Sequence, residues 1–165
     1  MPIPATDVQA RWQALTDDPL LRDLPYKVET NAADQLVLSP HSNRHSLQQA
    51  AIQEVLRTHA PPGTVAPEFA LATPEGVKVP DVVWMSDARR SAMEATGDPS
   101  TLAPEICVEV LSAANTAAGM AAKRALYRAA GAEEVWLVAA DGTIRFYAEE
   151  ALEASALVPA APHQL

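Results

Sequence analysis

Two acidic residues interrupt segments of the sequence that are otherwise apolar and strand-like. Glu109 lies at the centre of "PEICVEVLS" (104–112), and Asp81 follows Pro80 in "VPDVVWM" (79–85). Because moving an ionised carboxylate into an apolar interior costs several kcal/mol, each residue needs a partner that compensates its charge. That partner is either a basic side chain or a divalent cation, and a cation held by two carboxylates can catalyse hydrolysis.

A lysine occupies a position where an apolar residue is expected, on a predicted helix over 115–130. At 100° per residue, Met120, Leu126 and Tyr127 form the apolar arc of this helix, and Lys123 lies within that arc. A buried ammonium group stays charged only beside a carboxylate or a phosphate group. We therefore expect this lysine to meet one or both of the acidic residues.

The residues alone leave two interpretations of this trio open. In the first, Lys123 forms a buried ion pair with Glu109 or Asp81 and holds the helix against the sheet. In the second, a hard divalent cation such as Mg²⁺ removes the surplus charge of two carboxylates facing one lysine. Such a cation takes oxygen ligands at about 2.0–2.1 Å and often shares them with a substrate phosphate.

The elements that position these residues alternate between strand-like and helical patterns. Helices are predicted near 8–15, over 43–59 and over 115–130, and strands over 26–30, 35–38, 68–73, 77–85, 105–112, 133–140 and 143–150. This order predicts a single α/β (α+β) domain, residues 1–153, with a mixed and largely antiparallel central sheet flanked by helices. The Ala- and Pro-rich residues 154–165 are predicted to be a loosely attached tail.

The overall charge argues against an indiscriminate nucleic-acid binder. Twelve basic residues face 21 acidic residues, a net charge of −9, and such a field repels a phosphate backbone. A local basic rim or a metal-dependent encounter with DNA remains compatible with this charge. No apolar stretch approaches the roughly 20 residues of a membrane span, and the first residues lack the pattern of a signal peptide. With one cysteine, Cys107, the sequence predicts a cytoplasmic protein without an intrachain disulfide.

The motifs taken together resemble those of the Uma-type family, a restriction-endonuclease-like branch of the PD-(D/E)XK nuclease superfamily. A PD dipeptide, an E-V-L-S strand, a K-x3-Y-x3-G helix and an E-x-W strand are matched by Pro80, Asp81, Glu109, Val110, Leu111, Ser112, Lys123, Tyr127, Gly131, Glu134 and Trp136. Upstream, "YKVE", "LVLSP" and "HSLQQAAIQEVL" resemble the opening hairpin and the His-bearing helix of the family. The resemblance covers about residues 26–147 and implies a restriction-endonuclease-like fold.

Three features depart from these patterns, and the first is Ala113 in place of the proline that often follows the family's Ser. In the superfamily the lysine usually stands two residues after the second acid, where this chain has Leu111. The Uma-type branch places its lysine on the following helix, and Lys123 matches that version. The glycine of the family's first turn is also absent, because "TNAAD" follows Glu29.

The resemblance implies a divalent-metal-dependent endonuclease that hydrolyses DNA with Mg²⁺ or Mn²⁺. Asp81 and Glu109 would hold the metal together with the backbone carbonyl of Val110. Glu29 would be a second-metal or water-mediated ligand, or else an exposed acid on an edge strand. Lys123 would orient the attacking water or stabilise the developing charge. Because cutting both strands calls for two sites, we expect a homodimer.

Three further residues are predicted to support the site. His45, at the rim of an apolar helix face, would support the acids or touch phosphate, or else would be a packed core histidine. Gln48 would bond to the site or to a buried backbone group, and the Tyr127 hydroxyl would lie near the cleft. Two other functions stay open: a nuclease-fold binding or assembly module that no longer cuts, which the acidic charge favours, and an acidic mimic of DNA.

Overall fold

The computed structural model of the protein describes residues 3–165, so residues 1–2 of the predicted domain lie outside the described range. The described residues form four helices and ten strands: α1 (Ala5–Asp17), β1 (Tyr26–Thr30), β2 (Leu36–Pro40), α2 (Asn43–His59), β3 (Thr64–Pro67), β4 (Leu71–Thr73), β5 (Gly76–Lys78), β6 (Val82–Met85), α3 (Asp87–Glu94), β7 (Ile106–Val110), α4 (Ala117–Ala129), β8 (Glu134–Val138), β9 (Ile144–Tyr147) and β10 (Ala151–Leu152). None of the described helices is both long and apolar enough to cross a membrane.

A six-stranded sheet in the order β10-β9-β8-β7-β6-β3 forms the centre of the molecule. Strands β7 and β8 run parallel, and the other neighbouring pairs of this sheet are antiparallel. Every residue of β7 and β8 is buried, as expected of apolar strands covered on both faces. The predicted mixed and largely antiparallel sheet is therefore confirmed.

The helices cover the two faces of this sheet and divide the core into two layers. Helix α2 packs Ile52 and Leu56 against a cluster that includes Val108 and Val110 of β7. Helices α3 and α4 pack against the opposite face, in a cluster that includes Cys107. Because side chains alternate along a strand, Glu109 shares the face of Cys107 and points toward the layer that α4 covers.

The predicted hairpin between 68–73 and 77–85 is only partly correct. Strand β4 pairs with β5 in a separate two-stranded sheet, whereas β6 pairs with β3 and β7. Pro80 separates β5 from β6 because proline lacks the amide that a continuous ladder needs. Strand β3 was not predicted, since its sequence is rich in proline, but β3 is an edge strand, where proline is tolerated.

The prediction of a loosely attached tail over 154–165 is wrong. Val158 and Ala161 are buried in the core layer that α2 covers. The backbone also joins the sheet, because the Ile144 amide donates to the carbonyl of His163 at 2.9 Å. The composition suggested a weakly held segment, but small apolar residues fit where the sheet would otherwise expose its face to water.

A glycine fixes the small β4–β5 hairpin against β1, and replacing it should destabilise the fold. Gly76 has a positive φ of 89°, and a Cβ atom added there would lie 2.7 Å from the carbonyl oxygen of Thr30. We predict that Gly76→Ala lowers the free energy of unfolding by about 3 kcal/mol, because the strain and the overlap with backbone add together.

Urea denaturation measures this loss, and Gly119→Ala in α4 is a suitable control. A Cβ at Gly119 would meet only the Thr116 hydroxyl oxygen, at 3.0 Å, so its unfolding free energy should stay within about 1 kcal/mol of the parent. Equal denaturation midpoints for both variants would contradict the close approach at Gly76.

Candidate active site

The ladder of the central sheet brings Asp81 and Glu109 together. Strands β6 and β7 are antiparallel, with Val82 opposite Val108. Continuing this register by one residue places Asp81 across from Glu109. Both acidic side chains are buried, so two carboxylates far apart in the sequence share one interior position.

Helix α4 adds an ammonium group to these carboxylates. Lys123 Nζ lies 3.0 Å from Glu109 Oε1 and 2.9 Å from Glu29 Oε1. Its neighbours on the same helix face, Met120 and Tyr127, are buried, so the inward direction of Lys123 follows from the packing of α4. Lys123 therefore joins Glu109 to Glu29 but makes no ion pair with Asp81 among the described residues.

Strand β1 supplies two more charged residues, one of which the sequence reasoning missed. Lys27 and Glu29 alternate with Val28, so both point to one face of β1. Glu29 Oε1 accepts a hydrogen bond from the amide of Val79 at 2.7 Å, and Lys27 Nζ donates to the carbonyl of Val79 at 3.1 Å. Glu29 is thus a buried member of the cluster, and the interpretation of it as an exposed edge-strand acid is wrong.

Three donors hold the Asp81 carboxylate. Oδ1 accepts a hydrogen bond from Lys27 Nζ at 3.0 Å, and Oδ2 accepts one from the Val110 amide at 2.8 Å. Oδ2 also lies 3.2 Å from His45 Nε2. Burial opposes ionisation, but the bond to His45 and the charge of Lys27 outweigh it, and they lower the pKa of Asp81 far below its ordinary value. Asp81 is therefore a permanent anion near neutral pH.

Among the described residues, the Glu109 carboxylate accepts hydrogen bonds on one oxygen only. Oε1 accepts a hydrogen bond from the Tyr127 hydroxyl at 2.5 Å and contacts Lys123. Oε2 lies 3.6 Å from Lys27 Nζ, beyond hydrogen-bond distance. Burial raises the pKa of Glu109 above its ordinary value, although the two ammonium groups oppose this. Burial likewise raises the pKa of Tyr127, so the tyrosine stays a neutral donor to Oε1. Within the described residues Oε2 accepts no hydrogen bond, so it can accept a further ligand.

All three lysines of the sequence lie at or beside this cluster. Lys78, the third, donates from Nζ to the carbonyl of Thr30 at 2.8 Å on β1. Its pKa is lowered by burial and by the charge of Lys123, against the attraction of Glu29. The three ammonium groups balance the carboxylates of Glu29, Asp81 and Glu109, so the cluster has a formal charge of zero without any bound ion.

Two stacked histidines border Asp81. The ring centroids of His41 and His45 are 4.0 Å apart, with 25° between the ring planes. Ligand atoms of these histidines and of Asp81 all lie within 4.8 Å of one another. His41 Nε2 and His45 Nδ1 are buried and have no hydrogen-bond partner within residues 3–165. Burial lowers the pKa of His41, so its ring is neutral. The sequence predicted His45 beside the acids but gave no signal for His41.

Gln48 does not contact the acidic cluster among the described residues. Its Nε2 donates to the carbonyls of Ala139 and Ala140 at 3.1 and 3.2 Å. This bonding matches the interpretation in which Gln48 satisfies backbone groups, and it ties α2 to the loop after β8. The neighbouring Gln49 instead donates to the backbone carbonyl of Asp81, at 3.1 Å.

The donor atoms around Asp81 and Glu109 fit a hard divalent cation. Both side chains offer carboxylate oxygens, which Mg²⁺ and Mn²⁺ prefer, and Glu109 Oε2 has spare capacity. The space between the two acids already attracts positive charge, because the Lys27 ammonium lies there. The Val110 backbone borders the same acids through its amide, and its carbonyl stays a predicted ligand.

Comparison with solved structures shows the class of fold. A crystal structure described as "a putative nuclease belonging to DUF820", from Anabaena variabilis, matches with a TM-score of 0.61. The match covers 79% of each chain at 18% sequence identity. The predicted fold, a mixed central sheet flanked by helices, is therefore confirmed, since the chain shares its architecture with a protein described as a nuclease. Among proteins with curated descriptions, none matches the chain.

The sequence comparison gives the family. The Uma2 family model, described as "Putative restriction endonuclease", matches residues 18–158. Because this span is most of the chain, the protein belongs to the Uma2 family. The predicted family is confirmed.

Proposed function

We propose that this chain is an endonuclease that hydrolyses DNA phosphodiester bonds with Mg²⁺ or Mn²⁺ bound at Asp81 and Glu109. The observation that carries the proposal is the convergence of both acids with Lys123 and Glu29 in one buried cluster. The family is described as "Putative restriction endonuclease", and membership of it supports DNA as the substrate.

In this proposal the metal supplies the chemistry, and the surrounding residues orient the two acids that hold it. A bound divalent cation would polarise the scissile phosphate and lower the pKa of a bound water. His45 and the Val110 amide fix the orientation of Asp81, and the Tyr127 hydroxyl fixes that of Glu109. Each acid therefore presents its oxygens in a set direction, which a positioned reaction requires.

Lys123 acts as a fixed positive charge in this proposal. Burial lowers the pKa of Lys123, but the carboxylates of Glu109 and Glu29 together raise it by more, so the pKa lies above its ordinary value. An ammonium that keeps its proton is a poor general base. It is suited to orienting the attacking water and to stabilising the negative charge that develops on the phosphoryl oxygens.

A second candidate function is a nuclease-fold binding or assembly module that does not cut. The observation that favours it is the zero formal charge of the three carboxylates and three lysines, which leaves no surplus for a cation to neutralise. The net charge of −9 also disfavours tight contact with a phosphate backbone.

Metal binding separates the two candidates. We expect Mn²⁺ at ten times its Kd to raise the free energy of unfolding by about 1.4 kcal/mol. The melting temperature should rise by about 3–6 °C, and plasmid DNA should be cleaved only in the presence of the ion. Thermal denaturation and gel analysis with and without a chelator measure both effects. Absence of any shift and of cleavage at millimolar Mn²⁺ would favour the binding module.

We further propose that the chain acts in the cytoplasm as a homodimer. Cleavage of both strands of a duplex calls for two sites that face opposite strands, and a two-fold dimer supplies them. This oligomeric state follows from the proposed activity rather than from a contact in the structure.

A further inference from the structure

Lys27 lies in the position that a divalent cation would need. Its ammonium is 3.0 Å from Asp81 Oδ1 and 3.6 Å from Glu109 Oε2. The side chain is only 7% exposed, and a third contact, to the Val79 carbonyl, holds the same nitrogen. Among the described residues, no other cationic side chain contacts both acids.

An ammonium and a divalent cation cannot share these oxygens. A metal ion would approach the carboxylates to about 2.0–2.1 Å, which would leave the two positive charges only a few ångströms apart in a buried setting. Repulsion at that distance is strong where water is excluded. Either the lysine leaves or the metal does not enter.

The surroundings of Lys27 give its side chain a place to go. A cavity of about 310 Å³ lies beside it, between α1 and β1, and Glu68 is among its lining residues. The Glu68 side chain is about half exposed, so it offers a solvated carboxylate for the displaced ammonium. Among the described strands, β1, which carries Lys27, pairs only with β2, and the four-carbon stem of lysine is flexible.

We propose that Lys27 is a built-in counter-cation that occupies the metal position in the metal-free protein and moves toward Glu68 when a divalent cation binds. This inference rests on the proposed function. The apparent Kd for the metal is then the intrinsic Kd divided by the fraction of molecules in which Lys27 has left the position. The same residue balances the charge of the buried acids while no metal is present.

The wild-type chain allows a direct test, because it has only three lysines. Lysine ammonium groups labelled with ¹⁵N are observed by NMR during titration with diamagnetic Mg²⁺, while calorimetry records binding. We expect the Lys27 signal to shift or to gain fast exchange with water at the stoichiometry of binding. The Lys78 signal should change much less.

Variants supply the second measurement. Lys27→Gln should bind Mg²⁺ and Mn²⁺ at least about 10-fold more tightly than the parent. The matched control Lys78→Gln removes an equal charge that does not touch Asp81 or Glu109, and its affinity should change less than about 3-fold. Without metal, Lys27→Gln should melt at a lower temperature and should recover on addition of Mn²⁺.

The outcomes distinguish this inference from the proposed function. If the metal binds the parent and Lys27→Gln equally, and the Lys27 signal stays in place, the counter-cation role is overturned while the metal site survives. If neither protein binds either ion, the proposed metal-dependent function falls, and the role of Lys27 falls with it. If Lys27→Gln does not fold, the wild-type NMR titration alone decides.

Discussion

Glu109→Gln and Asp81→Asn are each expected to reduce DNA cleavage by about 10³-fold or more. Each change keeps the shape of the side chain but removes the negative charge that holds the cation, and a bound metal contributes several kcal/mol of transition-state stabilisation. Initial rates of plasmid nicking at saturating Mn²⁺ measure the loss.

Lys123→Gln should reduce the rate by about 10²–10³-fold, because it removes one fixed stabilising charge.

The loss should not come from unfolding. Asparagine and glutamine keep the size of these buried side chains and one acceptor oxygen each, so the packing around the cluster is preserved. Glu105→Gln is the matched control, because Glu105 is also buried and bonds Ser86 rather than the cluster. Its cleavage rate should stay within about 3-fold of the parent. Intact cleavage by both Asp81→Asn and Glu109→Gln would refute the assignment of the site.

The sequence was sufficient to predict that three charged residues need partners in the interior. Asp81 and Glu109 interrupt apolar strands, and Lys123 interrupts an apolar helix face, so each had to find a partner in the interior. In the structure, the antiparallel register of β6 and β7 is what brings the two acids together. These positions were predictable because a buried charge in an apolar segment is costly and therefore informative.

Lys27 was missed because its strand gives no such signal. In "YKVET" a lysine beside Glu29 looks like the solvent face of a short hairpin, and one strand cannot show what covers it. The available clue was that Lys27 and Glu29 share one face of β1. Its contact to Asp81 spans 54 residues and depends on how the hairpin docks onto the sheet, which local pattern does not determine.

The tail was missed for a related reason, since a buried acid on β8 holds it in addition to the core packing and the backbone bond to β9. Alanine and proline give no periodic signal, and the family motif assigned Glu134 no role in holding residues 154–165. In the structure the Glu134 carboxylate accepts hydrogen bonds from Ser155 Oγ at 2.7 Å and from the amides of Ala156 and Leu157 at 2.7 and 3.0 Å. A fixed acceptor thus compensates for the weak intrinsic preference of the segment.

Glu134→Ala is expected to lower the free energy of unfolding by about 4 kcal/mol. The substitution leaves the three donors of the tail and the Trp136 indole N–H, which donates to Glu134 at 2.8 Å, without their shared acceptor in a buried position. Unpaired buried donors cost about 1–3 kcal/mol each before relaxation. Residues such as Val158 should then detach, so limited proteolysis should cleave the tail before the rest of the chain unfolds.

The neighbouring acid provides the comparison that isolates this anchor. Glu133 is about half exposed and pairs with Arg89 at 3.1 Å, so Glu133→Ala should cost less than about 1 kcal/mol. Glu134→Gln, which keeps one acceptor oxygen, should fall between the two. Along the series Glu133→Ala, Glu134→Gln, Glu134→Ala, the denaturant midpoint should therefore fall and the rate of tail cleavage should rise. Equal midpoints for the two alanine variants would show that the Glu134 carboxylate adds no more stability than an exposed acid. Packing alone would then hold the tail.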